Sequence, residues 1–350
     1  MKEERIYYWD NLKCFLIFLV VFGHVLLPFR MNGICFKKIC VFIYFFHMPA
    51  FVFISGFFAK NYMKKDVPDI RKLNGFLILY VAYETLIAVE QTLINGVALD
   101  IPLFRPSGSP WYLLTMFMWY LIIPIFAKIK PVFGMIISIL MGLGIGFIEY
   151  FDAFFAGSRM FVFFPFFLLG FYVNPGIVEK ITNWKVKIVA ALLLVGSVFL
   201  FLWKWELIKK NELMIYGSSD YYRSPQGPVE PWGNLIFRLV WYVIVTLIIF
   251  GIMSLIPKKK FSFSYVGSRT LPIYFLHVPI REALMICYRK NMIHLENEYI
   301  MIVFQFLLSI GLVAILSGNT LNKFFNLPFK ISYRKILVEE ETKPSQGFFE

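Results

Sequence analysis

Long apolar runs recur along the whole chain, and they restrict its fold more than any other feature. Ten can be drawn, at roughly 12–29, 39–59, 74–94, 111–127, 131–149, 160–174, 185–203, 234–256, 264–284 and 298–318. Each lies near the roughly 20 residues that a helix needs to cross about 30 Å of hydrocarbon. An unpaired backbone amide in lipid costs several kcal/mol, so a crossing segment must close its hydrogen bonds within itself. The pattern predicts an all-α integral membrane protein with about ten transmembrane helices. Only 16% of the 350 residues are charged, against about 25% in ordinary soluble domains. That composition excludes a disordered chain, a nucleic-acid module and a secreted disulfide scaffold. Cys14, Cys35, Cys40 and Cys287 show no C-x-x-C or similar metal spacing.

The first run is longer than the apolar core of a secretory signal. FRMNGICF follows it, with no A-x-A-like cleavage site, so it reads as a retained helix. The net charge of +13 sorts by loop. With the N-terminus inside, 21 of the 35 Lys and Arg residues fall on cytoplasmic segments and 12 on outer ones. The excess places both termini in the cytoplasm, and an even number of crossings agrees with termini on one side. The expected organisation is a transmembrane domain over 1–325 and a short cytoplasmic tail over 326–350. No internal repeat is evident. The longest connection, about 204–233, is outer and carries GSSDYYRSPQGPVEPW, which suits either a sugar-contacting surface or a plain connector.

Ionisable groups inside apolar runs are costly and therefore candidates for function. Lys13 and His24 are eleven residues apart, which brings them within about 20° of one helix face and about 16 Å apart along the axis. Lys13 then sits at the inner surface and His24 in the outer half. His47 and His277 fall at similar depth, with His294 in an outer loop. A hydrogen bond to a neighbouring helix accounts for any one of these histidines, but less readily for three at one level. No paired acid or i, i+4 histidine supports a metal, and none is expected. Glu84 and Glu90 lie in the third run, either as neutral interhelical donors or in a proton relay. Snorkelling accounts for Arg159 and Arg238, and an interfacial belt accounts for Trp111 and other aromatic residues. Lys64, Lys65, Arg71 and Lys72 form an inner basic cluster that either sets topology or holds phosphate.

Five segments resemble, in order, those of the membrane-integral acyltransferase family 3, and within it the fucose 4-O-acetylase-like branch. YWDNLKCFLIFLVVFGH is similar to the family's basic residue, ten intervening residues and histidine, here Lys13 and His24. HMPAFVFISGFF at His47, WYLLTMFMWYLI at Trp111, RMFVFFPFFLLGFYV at Arg159 and GSRTLPIYFLHVPI at Gly267 resemble later family segments. The chain departs from the family at IRKLNGFLILY. There Asn74 and Gly75 stand where the second arginine of R-x-x-R is expected, while Arg71 and Lys72 keep positive charge.

The resemblance implies a multi-pass protein of the bacterial cytoplasmic membrane. It implies transfer of an acyl group, usually acetyl, from cytoplasmic acyl-coenzyme A to a hydroxyl of a surface or lipid-linked carbohydrate. Membrane lipids and polysaccharide biosynthesis proteins are the partners that such a role implies, and nucleic acid is not. His24 is then expected as general base, and Lys13, Arg71 and Lys72 as the donor-phosphate site. His47, Ser55, Glu84, Trp111, Arg159 and His277 are expected around the pocket. The rival reading is a polytopic transporter or flippase of a glycan or small solute, with buried His and Glu as a proton pathway.

Overall fold

A computed structural model describes residues 7–63, 70–106, 108–148, 154–217, 221–224, 227–228, 230–289 and 297–331. Lys64, Lys65, His294 and most of the expected tail lie outside the described residues. The helices are α1 (Tyr7–Leu26), α2 (Ile34–Ala59), α3 (Ile70–Asn95), α4 (Trp111–Phe126), α5 (Pro131–Gly144), α6 (Gly157–Tyr172), α7 (Ile177–Ile181), α8 (Trp184–Trp203), α9 (Trp205–Lys210), α10 (Glu212–Ile215), α11 (Pro231–Leu255), α12 (Thr270–Arg289), α13 (Glu298–Leu316) and α14 (Asn319–Phe325). Apart from single 3₁₀ turns, the other regular element described is an antiparallel pairing of Arg223–Ser224 with Gly227–Pro228.

Among the described residues, eight stretches are long and apolar enough to cross a membrane, and they contain α1, α2, α3, α6, α8, α11, α12 and α13. The other two predicted runs correspond to α4 and α5, shorter apolar helices. At 16 residues, α4 extends only about 24 Å. The connection at 204–233 is not a bare loop, because α9 and α10 lie within it.

Polar groups extend α1 well before the first apolar residue of its run. Asn11 Nδ2 donates to the carbonyls of Pro257 and Lys259, at 2.9 Å each. Ser264 Oγ donates to Asn11 Oδ1 at 2.5 Å. These bonds satisfy side chains that hydropathy alone would leave in water. The same end of the bundle receives the close of α13, where Arg269 Nη1 donates to the Ser317 carbonyl at 3.1 Å. The first and last spans therefore begin and finish on one side.

The centre of the bundle is α2, and 67% of its most apolar window is buried; the corresponding figure for peripheral α8 is 11%. Pro49 lies inside α2 and cannot donate to the carbonyl four residues earlier. That carbonyl, on Phe45, instead accepts from Trp241 Nε1 of α11 at 3.0 Å. The bond ties two spans together with a group that the helix itself leaves open. Packing against α6 is closer still. A Cβ on Gly56 would overlap the Phe167 carbonyl, and one on Gly170 would overlap the Phe53 carbonyl. In lipid, helix association depends on such close packing and on interhelical hydrogen bonds rather than on water exclusion.

Candidate active site

His24 closes α1. Its Nδ1 lies 2.8 Å from the Val20 carbonyl of the preceding turn, so this nitrogen carries the proton and Nε2 is the basic one. Pro28 follows four residues later and has no N–H to offer the His24 carbonyl. Arg281 of α12 supplies the missing donor through Nη1 at 3.3 Å. The local sequence thus ends the helix, fixes the ring and brings in an arginine.

Nε2 faces a cavity of about 820 Å³, within the range usual for ligand pockets. Its walls come from α1, α2, α3, α4, α6, α10, α12 and the 97–109 connection. The ring of His277 crosses that of His24 at 78° with centroids 4.9 Å apart. Tyr44 stands between His24 and His47, with centroids 5.7 and 4.8 Å away. His47 Nδ1 is bound to the Ile43 carbonyl at 2.8 Å, and His277 Nδ1 to the Tyr274 carbonyl at 2.7 Å. All three histidines are therefore oriented by their own helices. The buried Nε2 atoms of His47 and His277 have no hydrogen-bond partner among the described residues.

Trp111 and Arg159 meet on the cavity wall, the guanidinium 5.5 Å from the indole centroid. Arg159 Nε donates to the Tyr216 carbonyl at 3.2 Å, while Trp111 stacks on Phe163 at 5.2 Å. Ser55 lies behind the wall, 2.6 Å from the Tyr112 hydroxyl. Glu84 is fully buried in α3 and does not line the cavity. Nor do Lys13, Arg71 and Lys72, which belong to the opposite ends of α1 and α3. Lys13 pairs with Asp10 at 3.3 Å and lies over Phe58 of α2 at 5.0 Å. Lys72 lies 5.8 Å from the Tyr120 centroid. Lys13 and His24 both turn toward α2, but packed apolar residues of α1 separate them.

The cavity is capped by residues that hydropathy treats as connector. Glu212 of α10 receives Lys37 at 3.3 Å and Arg30 at 3.5 Å, and the Tyr216 hydroxyl donates to it at 3.0 Å. Burial, with Cys40 and Glu212 close by, pushes the Tyr216 phenol above its ordinary range, so it stays a donor. The hairpin segment after it serves as structure rather than cavity wall: Tyr221 sits beneath Arg238 at 5.2 Å, and its carbonyl accepts from Asn234 at 2.6 Å.

Sequence reasoning passed over Ser109, Tyr44, Tyr274 and Arg281. Ser109 Oγ is 3.3 Å from His24 Nε2. A serine two residues before a helix is ordinary, so only the fold reveals it. Among the described residues, no three His, Cys, Asp or Glu side chains form a metal-holding group.

A family model described as an acyltransferase domain matches residues 6–318. No curated protein and no solved structure matches the chain.

Proposed function

The chain belongs to acyltransferase family 3 and is a multi-pass membrane acyltransferase; from that premise we propose that it is an O-acyltransferase with His24 as general base. The donor is cytoplasmic acyl-coenzyme A, most simply acetyl, and the acceptor is a hydroxyl of an extracytoplasmic carbohydrate, as in the fucose 4-O-acetylase-like branch. One observation carries the reading: His24 Nδ1 is committed to Val20, which leaves Nε2 as a base on the cavity wall.

A sugar hydroxyl is too weak an acid to attack a thioester at neutral pH unless its proton is removed as the bond forms. Neutral imidazole suits that task, and such help is worth about 10²–10⁴-fold. The mixed wall favours a carbohydrate: Trp111 contributes apolar surface, while Arg159, Arg281 and Glu90 offer hydrogen bonds. The charge asymmetry of the loops puts the Lys13 end in the cytoplasm. There Lys13, Arg71 and Lys72 would hold the donor's phosphates by charge-assisted hydrogen bonds. Ten crossings, with α4 and α5 as the short ones, return the C-terminus to the same side.

The direct test uses purified protein in proteoliposomes with acyl-labelled coenzyme A. Label is expected on an added glycan acceptor, whereas a carrier would move the glycan unchanged, and unlabelled glycan would overturn the proposal. Lys13 supplies a second test. Lys13→Ala is expected to raise the donor KM about tenfold, the order of one lost charged hydrogen bond, with kcat nearly unchanged. Lys13→Arg should keep the wild-type KM, because it retains both the charge and the partner Asp10. An unchanged KM for Lys13→Ala would remove Lys13 from the donor site.

A further inference from the structure

A neutral imidazole has one acceptor lone pair, and that of His24 is already engaged. With Nδ1–H donated to Val20, the contact of 3.3 Å between Nε2 and Ser109 Oγ has one consistent polarity: the serine donates. An incoming sugar hydroxyl cannot use the same lone pair while Ser109 holds it. The first hydroxyl that His24 is placed to activate is therefore the protein's own.

Ser109 is held on several sides. The Tyr274 hydroxyl donates to the Ser109 carbonyl, and the Tyr274 carbonyl in turn accepts from the Tyr83 hydroxyl at 3.3 Å. Gly108, just before it, has a φ of +78°, a conformation that few other residues adopt without strain. Ser109 is 7% exposed and opens onto the same cavity as His24. An oriented hydroxyl against a base that is itself oriented by a third group is the arrangement of an activated nucleophile.

We propose that Ser109 is the nucleophile of a two-step transfer and carries the acyl group between donor and acceptor. The inference rests on the reading of His24 as the base. In the first step Ser109 Oγ gives its proton to His24 Nε2 and bonds to the thioester carbonyl carbon. The carbon–sulfur bond breaks, and the departing thiolate takes the proton from the imidazolium. The serine ester can no longer donate, so Nε2 becomes free. In the second step the acceptor hydroxyl gives its proton to Nε2 and bonds to the ester carbon. The carbon–Oγ bond breaks, and the proton returns to Ser109. Donor and acceptor then need never occupy the cavity together, which suits substrates that arrive from opposite sides of a membrane.

The test incubates the purified full-length protein with acyl-labelled acetyl-coenzyme A and no acceptor. A burst of free thiol equal to the amount of protein is expected, with label mapping by mass spectrometry to the peptide containing Ser109. Ser109→Ala should abolish the burst and lower transfer at least about 100-fold. Ser109→Cys should trap the label as a hydroxylamine-sensitive thioester, which keeps the question answerable if the alanine variant folds poorly. Label on His24 would overturn the inference and make His24 itself the acyl carrier, whereas full transfer without labelled protein or by Ser109→Ala would overturn it and leave His24 as base for direct transfer. Full transfer by His24→Ala would overturn both.

Discussion

His24→Ala is expected to reduce acyl transfer by at least 10²-fold, about the lower bound for loss of a general base, while the protein still inserts and accumulates. The two effects separate because of where the imidazole is anchored. Its protein hydrogen bonds are to Val20 in its own helix and to Ser109 at the cavity. The interhelical bond at this position uses the His24 carbonyl, to which Arg281 donates, and alanine preserves it. Glu282 on the wall is already paired with Arg281 and is a poor substitute for the base. Initial rates normalised to membrane-extracted protein, with a melting curve in detergent, check the expectation. A wild-type rate would remove His24 from the chemistry.

The second large effect is on stability. Gly170→Val should prevent stable packing of α6 on α2, because its first side-chain atom meets the main-chain carbonyl of Phe53. Overpacked cores commonly lose about 1–3 kcal/mol when side chains can move aside. Here the obstacle is backbone, and the reciprocal contact of Gly56 with the Phe167 carbonyl must open as well. A loss of at least about 3 kcal/mol is expected, a large part of the 5–15 kcal/mol typical of folded proteins. The melting temperature should fall by roughly 10 °C, with Gly170→Ala intermediate. Wild-type melting of Gly170→Val would show that the two helices do not meet at these glycines. Activity should fall with folding, since α6 also carries Arg159 to the cavity.

The apolar runs made the helices legible because burial in lipid and in protein both select the same residues. What they could not mark was where polar side chains find partners inside the bundle. Hydropathy started the first run near residue 12, yet α1 begins at Tyr7, since Asn11 is satisfied by Pro257, Lys259 and Ser264. The 204–233 segment looked like connector, because helices as short as α9 and α10 leave no periodic signal. His24 stood out as an ionisable group in an apolar run. Arg281 did not, because its role is set by the carbonyl that Pro28 leaves open on another helix. Ser109 was equally silent: its importance is a distance to a residue 85 positions away.

The bond from each histidine to the carbonyl of its own preceding turn has an evolutionary corollary. An imidazole steered by its local backbone keeps its heading when surrounding segments diverge. The stretches 97–106 and 205–217 can then drift, and substrate preference with them, without the catalytic machinery being rebuilt. Diversification of what is modified is thereby uncoupled from how the modification is made.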